Sequence, residues 1–578
     1  MPIVESPNLR RISPPALLPA PLTAFTAALI LLGVAYPIAA LLFRSFYSPA
    51  GGLTLAPWRE LGRSPFLGAA VRNTLRVSAV SSALSVSIGG ALGVLSARTA
   101  FPGKGLLRVT VLSPLLISQS VMAIAWIILA ERTGGLLNVL FRSLGVRFSF
   151  EILSVGGIVF TTVLLTLPLS FFIIESLALN LDPELEEAAL LCGAGWGTTL
   201  TRVVAPLLWP GLAAVALLCF MMANAMFSVQ GILGIPGNVW TVANLIYFLL
   251  GSYPANLEAA AALALGLLCA GLVILAVQRR LLSRGDFFLS GGHRPDPALW
   301  PLPGWAKGCC AAALVFLFLA LVALPYGALA FRSVAPAEVQ VQAGIGTSLR
   351  GWSFDSYRAV LADPAMRRAL RNSVALAAGA AACCTTLSFL IGYQAFRSRG
   401  FGGAWLPAVC VAPFALSGMV LGIACILAFS AAPLRLNGTL WMLLVAYTVR
   451  ELAIGFKMAQ AALAQIEPEL EHVAFLCGAG AWPVLRRVLW PLLSPSLLSV
   501  GALTFLASFR EIESSILLAG PGKEVFGYQI FNGFQNGTWK EVSAMSIVGA
   551  SICAAVSGAV LLAVAAKRKR GLDSKGAS

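Results

Sequence analysis

Five ionisable residues stand within or beside apolar runs and are the first candidates for chemistry: Arg450, Glu451, Arg510, Glu511 and Glu513. Lys457 lies a turn or two beyond the first pair, and Glu175 closes an earlier apolar run. A charge in such surroundings is costly unless it is paired or meets water, so it points to a polar pathway, a gate or an ion pair between helices. Arg450, Glu451, Glu511 and Glu513 are therefore candidate pathway or gating residues. Arg450 with Glu451 reads equally well as an ion pair that fixes packing. Glu511 and Glu513 favour packing or gating over direct coordination of a substrate. Enzyme-like constellations do not emerge. There are two histidines, His293 and His472, and the eleven cysteines lie mostly inside apolar stretches. No CxxC or Cys/His spacing of a zinc site occurs, and Cys309–Cys310 and Cys383–Cys384 read as small packing residues. No GxxxxGK[ST] phosphate loop occurs either. The expectation is no catalytic residue and no metal site.

The elements that must carry these residues follow from composition. Of 578 residues, 58% are hydrophobic and 11% charged, with a mean hydropathy of +0.86. A soluble domain is about 45–50% apolar and about 25% charged, so a soluble multidomain enzyme is excluded and a polytopic membrane protein remains. The net charge of +16 would suggest nucleic acid in a soluble chain. Here it fits the excess of Lys and Arg on the cytoplasmic side of bilayer proteins, so no nucleic-acid partner is expected, only the lipid bilayer.

Apolar runs fall at Ala24–Phe43, Thr74–Ala97, Leu107–Ala130, Ser154–Ile174, Gly211–Ile232 and Ala259–Val277. A second set falls at Cys309–Ala330, Val374–Ala395, Leu406–Phe429, Leu440–Gln460, Leu497–Leu518 and Ser546–Ala565. They are too long and too uniformly apolar for barrel strands, so the expected fold is an all-α polytopic membrane protein of about twelve spans in two groups of six. Arg10, Arg11 and a Pro-rich stretch precede the first run, which is longer than a signal-peptide core and reads as an uncleaved span. With both termini cytoplasmic, Arg98, Lys104, Arg108, Arg202, Arg279, Arg280, Arg284, Arg397, Arg399, Arg486 and Arg487 fall inside. The loop holding Arg332, Arg350, Arg358, Arg367, Arg368 and Arg371 falls outside against the rule, with a short surface helix expected near Asp355–Arg371. The expected parts are a tail over 1–22, a first unit over 23–278, a linker over 279–308, a second unit over 309–566 and a basic tail over 567–578. The linker, rich in Pro, Gly and Arg and holding His293, is expected only to join the halves.

An internal repeat is more specific than the span count. Asp182–Pro210 and Glu467–Pro495, offset by 285, are identical at 17 of 29 positions. Arg72-Asn73-Thr74 is echoed by Arg371-Asn372-Ser373. Both long copies follow the fourth span of their group, so the chain is a duplicated six-span unit with its halves the same way up. Within the first copy, Asp182 suits an N-cap and Pro183 the first helical position. Glu184, Glu186 and Glu187 sit where the helix dipole favours anions. Leu185, Ala188, Ala189 and Cys192 form an apolar stripe, and Gly193 and Gly195 end the helix. A second short amphipathic stretch is expected to run to Pro206, giving a compact helix–turn–helix outside the bilayer. An ordinary interfacial loop is the alternative for one copy; two such copies suit two like partner surfaces.

This loop resembles the cytoplasmic EAA loop of permease subunits of ATP-binding-cassette (ABC) importers. The family pattern, Glu-Ala-Ala, three residues and Gly, stands as Glu187-Ala188-Ala189 and Gly193. In the second copy the positions are His472-Val473-Ala474 and Gly478, a departure that raises the prospect of asymmetric coupling. The resemblance implies the type I importer permease fold in the bacterial inner membrane. It further implies a docking helix in each loop, entering a groove of one of two cytoplasmic ATPase subunits that bind ATP and Mg, leaving no cofactor in this chain. Glu184, Glu187, Ala188, Ala189 and Gly193, with Glu469, His472, Ala474 and Gly478, are then the ATPase-docking residues. Without a large extracytoplasmic domain, a separate substrate-binding protein is also implied.

Ala97-Arg98-Thr99 with Phe101-Pro102-Gly103, and Arg510-Glu511-Ile512-Glu513-Ser514-Ser515 with Leu517-Leu518 and Pro521-Gly522, resemble segments of fused ferric-iron-type permeases. Thiamine and 2-aminoethylphosphonate permeases share the general pattern. The expected function is the pathway subunit of an importer working by alternating access, with ferric iron as first substrate and 2-aminoethylphosphonate, thiamine or another small solute as alternatives. A secondary transporter of two six-span halves is the rival without an ATPase, and the EAA-type loops speak against it. An integral membrane enzyme would need clustered catalytic groups at one membrane face, which do not emerge.

Overall fold

The computed structural model describes residues 20–48, 52–101, 103–282, 300, 303–336, 352–397, 405–431 and 434–576. Among these, nine helices are long and apolar enough to cross a membrane. They are Pro21–Ser45, Leu67–Arg98, Val155–Leu179, Trp196–Ala225, Leu257–Leu281, Gly304–Val334, Pro364–Ala395, Ala481–Phe509 and Trp539–Val560. Two bent pairs, Lys104–Leu115 with Gln119–Ala130 and Trp405–Ala415 with Gly418–Phe429, raise the number to eleven when each is one span. Leu440–Ala464 is a further helix of 25 residues, less uniformly apolar because it carries Arg450, Glu451 and Lys457. In chain order these twelve elements are spans one to twelve, six in each half. Tyr47–Ser48 pairs antiparallel with Gly52–Leu53 in a minimal hairpin.

Spans three and nine, each one apolar run in the sequence, are bent by 101° and 115°. Each bend follows a 3₁₀ turn containing a proline, Ser113–Leu115 with Pro114 and Ala412–Ala415 with Pro413. Proline has no N–H to continue the ladder and clashes with the preceding turn. The second arms, Gln119–Ala130 and Gly418–Phe429, are buried almost throughout, which explains their all-round apolar character.

Spans five and eleven start at Trp196 and Ala481 rather than Gly211 and Leu497. The second stretch of each repeated loop is thus the beginning of a span, not a separate surface helix. The chain passes Pro206 and Pro491 through π-helical turns at Leu200–Val204 and Leu485–Leu489. The same device recurs in spans one and seven, at Leu31–Ala35 ahead of Pro37 and at Leu319–Ala323 ahead of Pro325. A wider turn accommodates a proline whose missing N–H would otherwise break the helix. Span five ends at Ala225 and is followed by Phe227–Gly234; span eleven ends at Phe509 and is followed by Glu513–Leu518.

Span eight starts at Pro364, so Arg367, Arg368 and Arg371 lie on its first turns, and the surface helix is confined to Asp355–Ala362. Ala56–Arg63 is its counterpart ahead of span two. The last helix, Trp539–Gly576, continues through the basic run expected to be a tail. Residues 1–19, Arg284, His293, Arg350 and Arg399 lie outside the described residues.

The short echo before spans two and eight has a structural role. Asn73 donates to the Trp240 carbonyl at 2.9 Å, and Thr74 Oγ1 accepts from the Val242 N–H at 2.9 Å. Asn372 donates to the Glu524 carbonyl at 3.0 Å, and Ser373 Oγ accepts from the Phe526 N–H at 2.7 Å. Each half thereby satisfies backbone groups at the start of a helix, Val242–Gly251 or Phe526–Gln535, that has no partner of its own there.

The halves are interlocked. Span one packs against span nine of the second half, where the Tyr36 and Phe429 rings lie 5.7 Å apart, and Gln394 of span eight donates to Thr26 at 2.8 Å. Span seven in turn packs against the buried arm of span three. Spans two and four approach closely at Gly89 and Gly93, where a Cβ would collide with Ser170 and with the backbone of Phe171 and Glu175. Small residues at such crossings are what holds helices together in lipid.

Candidate functional site

The first repeated loop presents the helix Pro183–Leu191. The Asp182 side chain accepts from the Glu184 N–H at 3.0 Å, as an N-cap does. Gly193, at φ +82°, ends the helix in a conformation that favours glycine. Of the three first-turn acids, Glu186 behaves differently from the others. It is 1% exposed, pairs with Arg98 at 2.7 Å and accepts from Trp300 Nε1 at 2.9 Å. In the sequence it is one more anion at a helix start. Arg98, fully buried at the end of span two, also donates to the Leu181 carbonyl at 3.2 Å. The Trp300 N–H donates to the Arg98 carbonyl at 2.7 Å, and its ring lies 5.5 Å from that of Trp196. Trp300 of the linker, expected only to join the halves, thus packs against the base of the first loop helix.

With Glu186 turned inward, Glu184, Glu187 and Ala188 are exposed and Ala189 is half-buried. Leu185 is 47% and Leu191 90% exposed. The apolar stripe therefore faces away from the bundle. The second helix, Pro468–Leu476, repeats this arrangement. Glu471 is buried and accepts from the Tyr393 hydroxyl at 2.9 Å, while Leu470 is 47% and Leu476 83% exposed. Gly478 has φ +80°. Glu469 is exposed, Ala474 half-buried, and His472 half-buried where Glu187 is exposed.

The structure brings three of the four candidate pathway residues tightly together. Arg450 Nη1 lies 3.0 Å from Glu511 Oε1 and 3.0 Å from Glu513 Oε2. Glu451, the sequence neighbour weighed as its ion-pair partner, is 4.0 Å away. Glu511 also accepts from the Ser514 N–H at 2.9 Å and the Ser515 hydroxyl at 2.8 Å, capping Glu513–Leu518. Tyr447 of span ten meets the same Ser515 hydroxyl at 2.7 Å. Glu513 accepts from the Gly418 N–H at 3.2 Å, at the start of the second arm of span nine. A Cβ on Gly418 would collide with the Arg450 guanidinium and with Glu513. The cluster thus ties span ten, the break after span eleven and the bend of span nine into one unit. At the offset of 285 the first half carries Leu165, Thr166, Met226 and Ser228 in these places.

A cleft of about 610 Å³ opens between the halves, lined among others by Ile127, Glu131, Leu153, Phe531, Phe534 and Trp539. Burial works to raise the Glu131 carboxyl, but hydrogen bonds from the Thr133 hydroxyl and the Gly134 and Thr133 N–H groups outweigh it and hold the group below its ordinary range. Glu131 therefore stays anionic at neutral pH. Among the described residues, no group of three or more His, Cys, Asp or Glu is arranged to hold a metal ion.

Residues 385–570 match the sequence model of the family described as binding-protein-dependent transport system inner membrane component. The chain is 26% identical over 509 residues to a putative ferric transport system permease protein of Haemophilus influenzae, covering 86% of this chain and 77% of that one. It is 26% identical over 545 residues to a ferric transport system permease protein of Actinobacillus pleuropneumoniae, covering 92% and 76%. A putative 2-aminoethylphosphonate transport system permease protein of Salmonella typhimurium is 33% identical over 170 residues, covering 29% and 64%. A chain of a crystal structure of a bacterial alginate ABC transporter is 17% identical, covering 45% of this chain and 92% of that one, with a TM-score of 0.35. The family domain spans the later part of the second half, relatives align along most of the chain, and the same helical plan is repeated in the first half. The chain is a multi-pass inner-membrane protein of the type I importer permease fold, and along most of its length it is similar to binding-protein-dependent permeases of ABC importers.

Proposed function

We propose that this chain is the translocation pathway of an ATP-driven importer for ferric iron. Two ATPase subunits dock on Pro183–Leu191 and Pro468–Leu476, and a separate extracytoplasmic protein delivers the substrate. The observation that carries this reading is the matched pair of outward-facing stripes, Leu185, Ala188 and Leu191 with Leu470, Val473 and Leu476, each on a helix anchored by a buried glutamate. Apolar side chains exposed in equivalent places on two pseudo-symmetric helices suit two copies of one partner. Glu184, Glu187, Ala188, Ala189 and Gly193, and Glu469, His472, Ala474 and Gly478, are the docking positions, and both termini lie on the same cytoplasmic side. ATP and Mg are bound by the partner, and this chain performs no bond chemistry. ATP and the loaded binding protein each favour one arrangement of the bundle, and that difference drives alternating access.

Ferric iron is supported by ferric relatives that align over most of the chain. The 2-aminoethylphosphonate reading is supported by higher identity over a shorter stretch. The test is uptake of labelled ferric iron by iron-starved cells lacking this chain, with the chain restored, and with Glu187→Ala. Restoration by the natural chain and loss in the variant is the expected result. Equal uptake with and without the chain removes iron and makes 2-aminoethylphosphonate the next substrate. Full uptake by the variant removes the docking role of Glu187.

A further inference from the structure

We propose that Arg510 is a positioning residue that latches the two halves together at membrane depth, through the bend of span three. This rests on the importer reading and adds to it a single residue that holds one state of the pathway closed. Arg510 follows the last turn of span eleven. Its Nε donates to the Leu506 carbonyl at 2.9 Å, within its own helix. Its Nη1 crosses to the first half and donates to the Ile117 carbonyl at 3.0 Å, with the Pro114 carbonyl at 3.5 Å. The Pro114 carbonyl is in the last turn of the first arm of span three and the Ile117 carbonyl in the break that follows it, where the backbone has run out of helical N–H partners. Ile117 is 1% exposed. Arg510 also lines a cavity of about 20 Å³ shared with Ile117, Ser118, Phe509, Gly549 and Cys553, roughly the space of one water. There is little solvent to replace the bond if it breaks.

The latch runs in one direction only. The residue equivalent to Arg510 in the first half is Ala225, which has no donor to offer the bend of span nine. That bend is held within its own half, by Glu513 on the Gly418 N–H. Any rearrangement that separates the bend of span three from the break after span eleven must release Arg510 from Ile117. Non-helical backbone at this depth is tolerated only while its polar groups are satisfied. The bond therefore weights the equilibrium toward the arrangement in which the halves meet here.

The experiment uses the complete complex with its ATPase subunits in lipid nanodiscs, comparing the natural chain with Arg510→Met and Arg510→Lys. Methionine removes the donor and leaves Glu451 with Arg450 as its neighbouring cation, and lysine keeps a donor within reach. ATP hydrolysis without binding protein is expected to rise about tenfold in Arg510→Met, the shift one charge-assisted hydrogen bond controls, with less substrate moved per ATP. Arg510→Lys is expected to return most of the way to the natural chain. A second readout needs no ATPase: Cys553, 1% exposed and lining the same cavity, should react faster with a maleimide in Arg510→Met, followed at that residue by mass spectrometry. Unchanged hydrolysis and unchanged Cys553 labelling in an assembled Arg510→Met complex would overturn the latch. A natural complex that hydrolyses no ATP would instead strike the importer reading, leaving the labelling result to decide the latch.

Discussion

The two halves follow one plan but differ at their centres. In the second half, Arg450, Glu511 and Glu513 join span ten, the break after span eleven and the bend of span nine. In the first half the equivalent places hold Leu165, Met226 and Ser228, with Leu165 buried among apolar neighbours. The repeated loop helices are closer in plan: each keeps a buried glutamate, Glu186 against Arg98 and Trp300 in the first and Glu471 against the Tyr393 hydroxyl in the second. They differ on the outward side, where the exposed Glu187 of the first stands opposite a half-buried His472. Duplication preserved span lengths, π turns ahead of prolines, outward apolar stripes and a buried glutamate in each loop helix. It did not preserve the groups at the centre of each half, since an ion pair and an apolar contact can serve the same packing position.

That comparison can be broken most directly at Arg450. Arg450→Leu gives the second half the first half's residue but leaves Glu511 and Glu513 buried without their cation. A loss of about 3–5 kcal/mol is expected, read as a lower unfolding midpoint of the purified protein. Adding Glu451→Thr, Glu511→Met and Glu513→Ser completes the conversion and should recover most of that loss, because removing a whole buried ion cluster is often close to neutral. A quadruple variant as unstable as the single one would mean that the cluster stabilises by more than mutual compensation.

A smaller effect is expected at the bend of span nine. Gly418→Ala places a methyl against Arg450 and Glu513 and should cost about 1–3 kcal/mol. Gln119→Ala at the start of the matching arm of span three should stay within about 0.5 kcal/mol. Equal melting shifts would show that the two bends are held alike after all. The smallest difference is expected between Glu187→Ala and His472→Ala in retention of the ATPase by the detergent-purified complex. The exposed Glu187 should matter more, and equal losses would remove the asymmetry between the docking helices.

Much of the architecture was readable before any contact was known. Twelve spans, the duplication and the two loop helices follow from apolar runs, a 29-residue repeat and the Asp-Pro…Gly punctuation around Glu184–Gly193. Their boundaries were less so: span five was placed from Gly211, yet the helix begins at Trp196 because a π turn carries it past Pro206. The bends of spans three and nine have a local signal, since Pro114 and Pro413 stand inside the apolar runs. Glu186 had none. Between Glu184 and Glu187 it looks like any first-turn acid, and only the arrival of Arg98 and Trp300 sets it apart.

The division has a physical basis. Hydrophobic length, helix caps and turn glycines act over a few residues, so the chain states them locally. Which cation a buried carboxylate meets is settled between residues far apart in sequence: Arg450 with Glu511, Glu186 with Arg98, Arg510 with the Ile117 carbonyl of the other half. By itself the sequence determined a duplicated membrane permease with a matched loop helix in each half. The exchange of first spans between halves, the bends that bring backbone to the centre, and the partner of each buried charge were decided by the tertiary structure, because lipid offers those groups no water and packing alone selects who satisfies them.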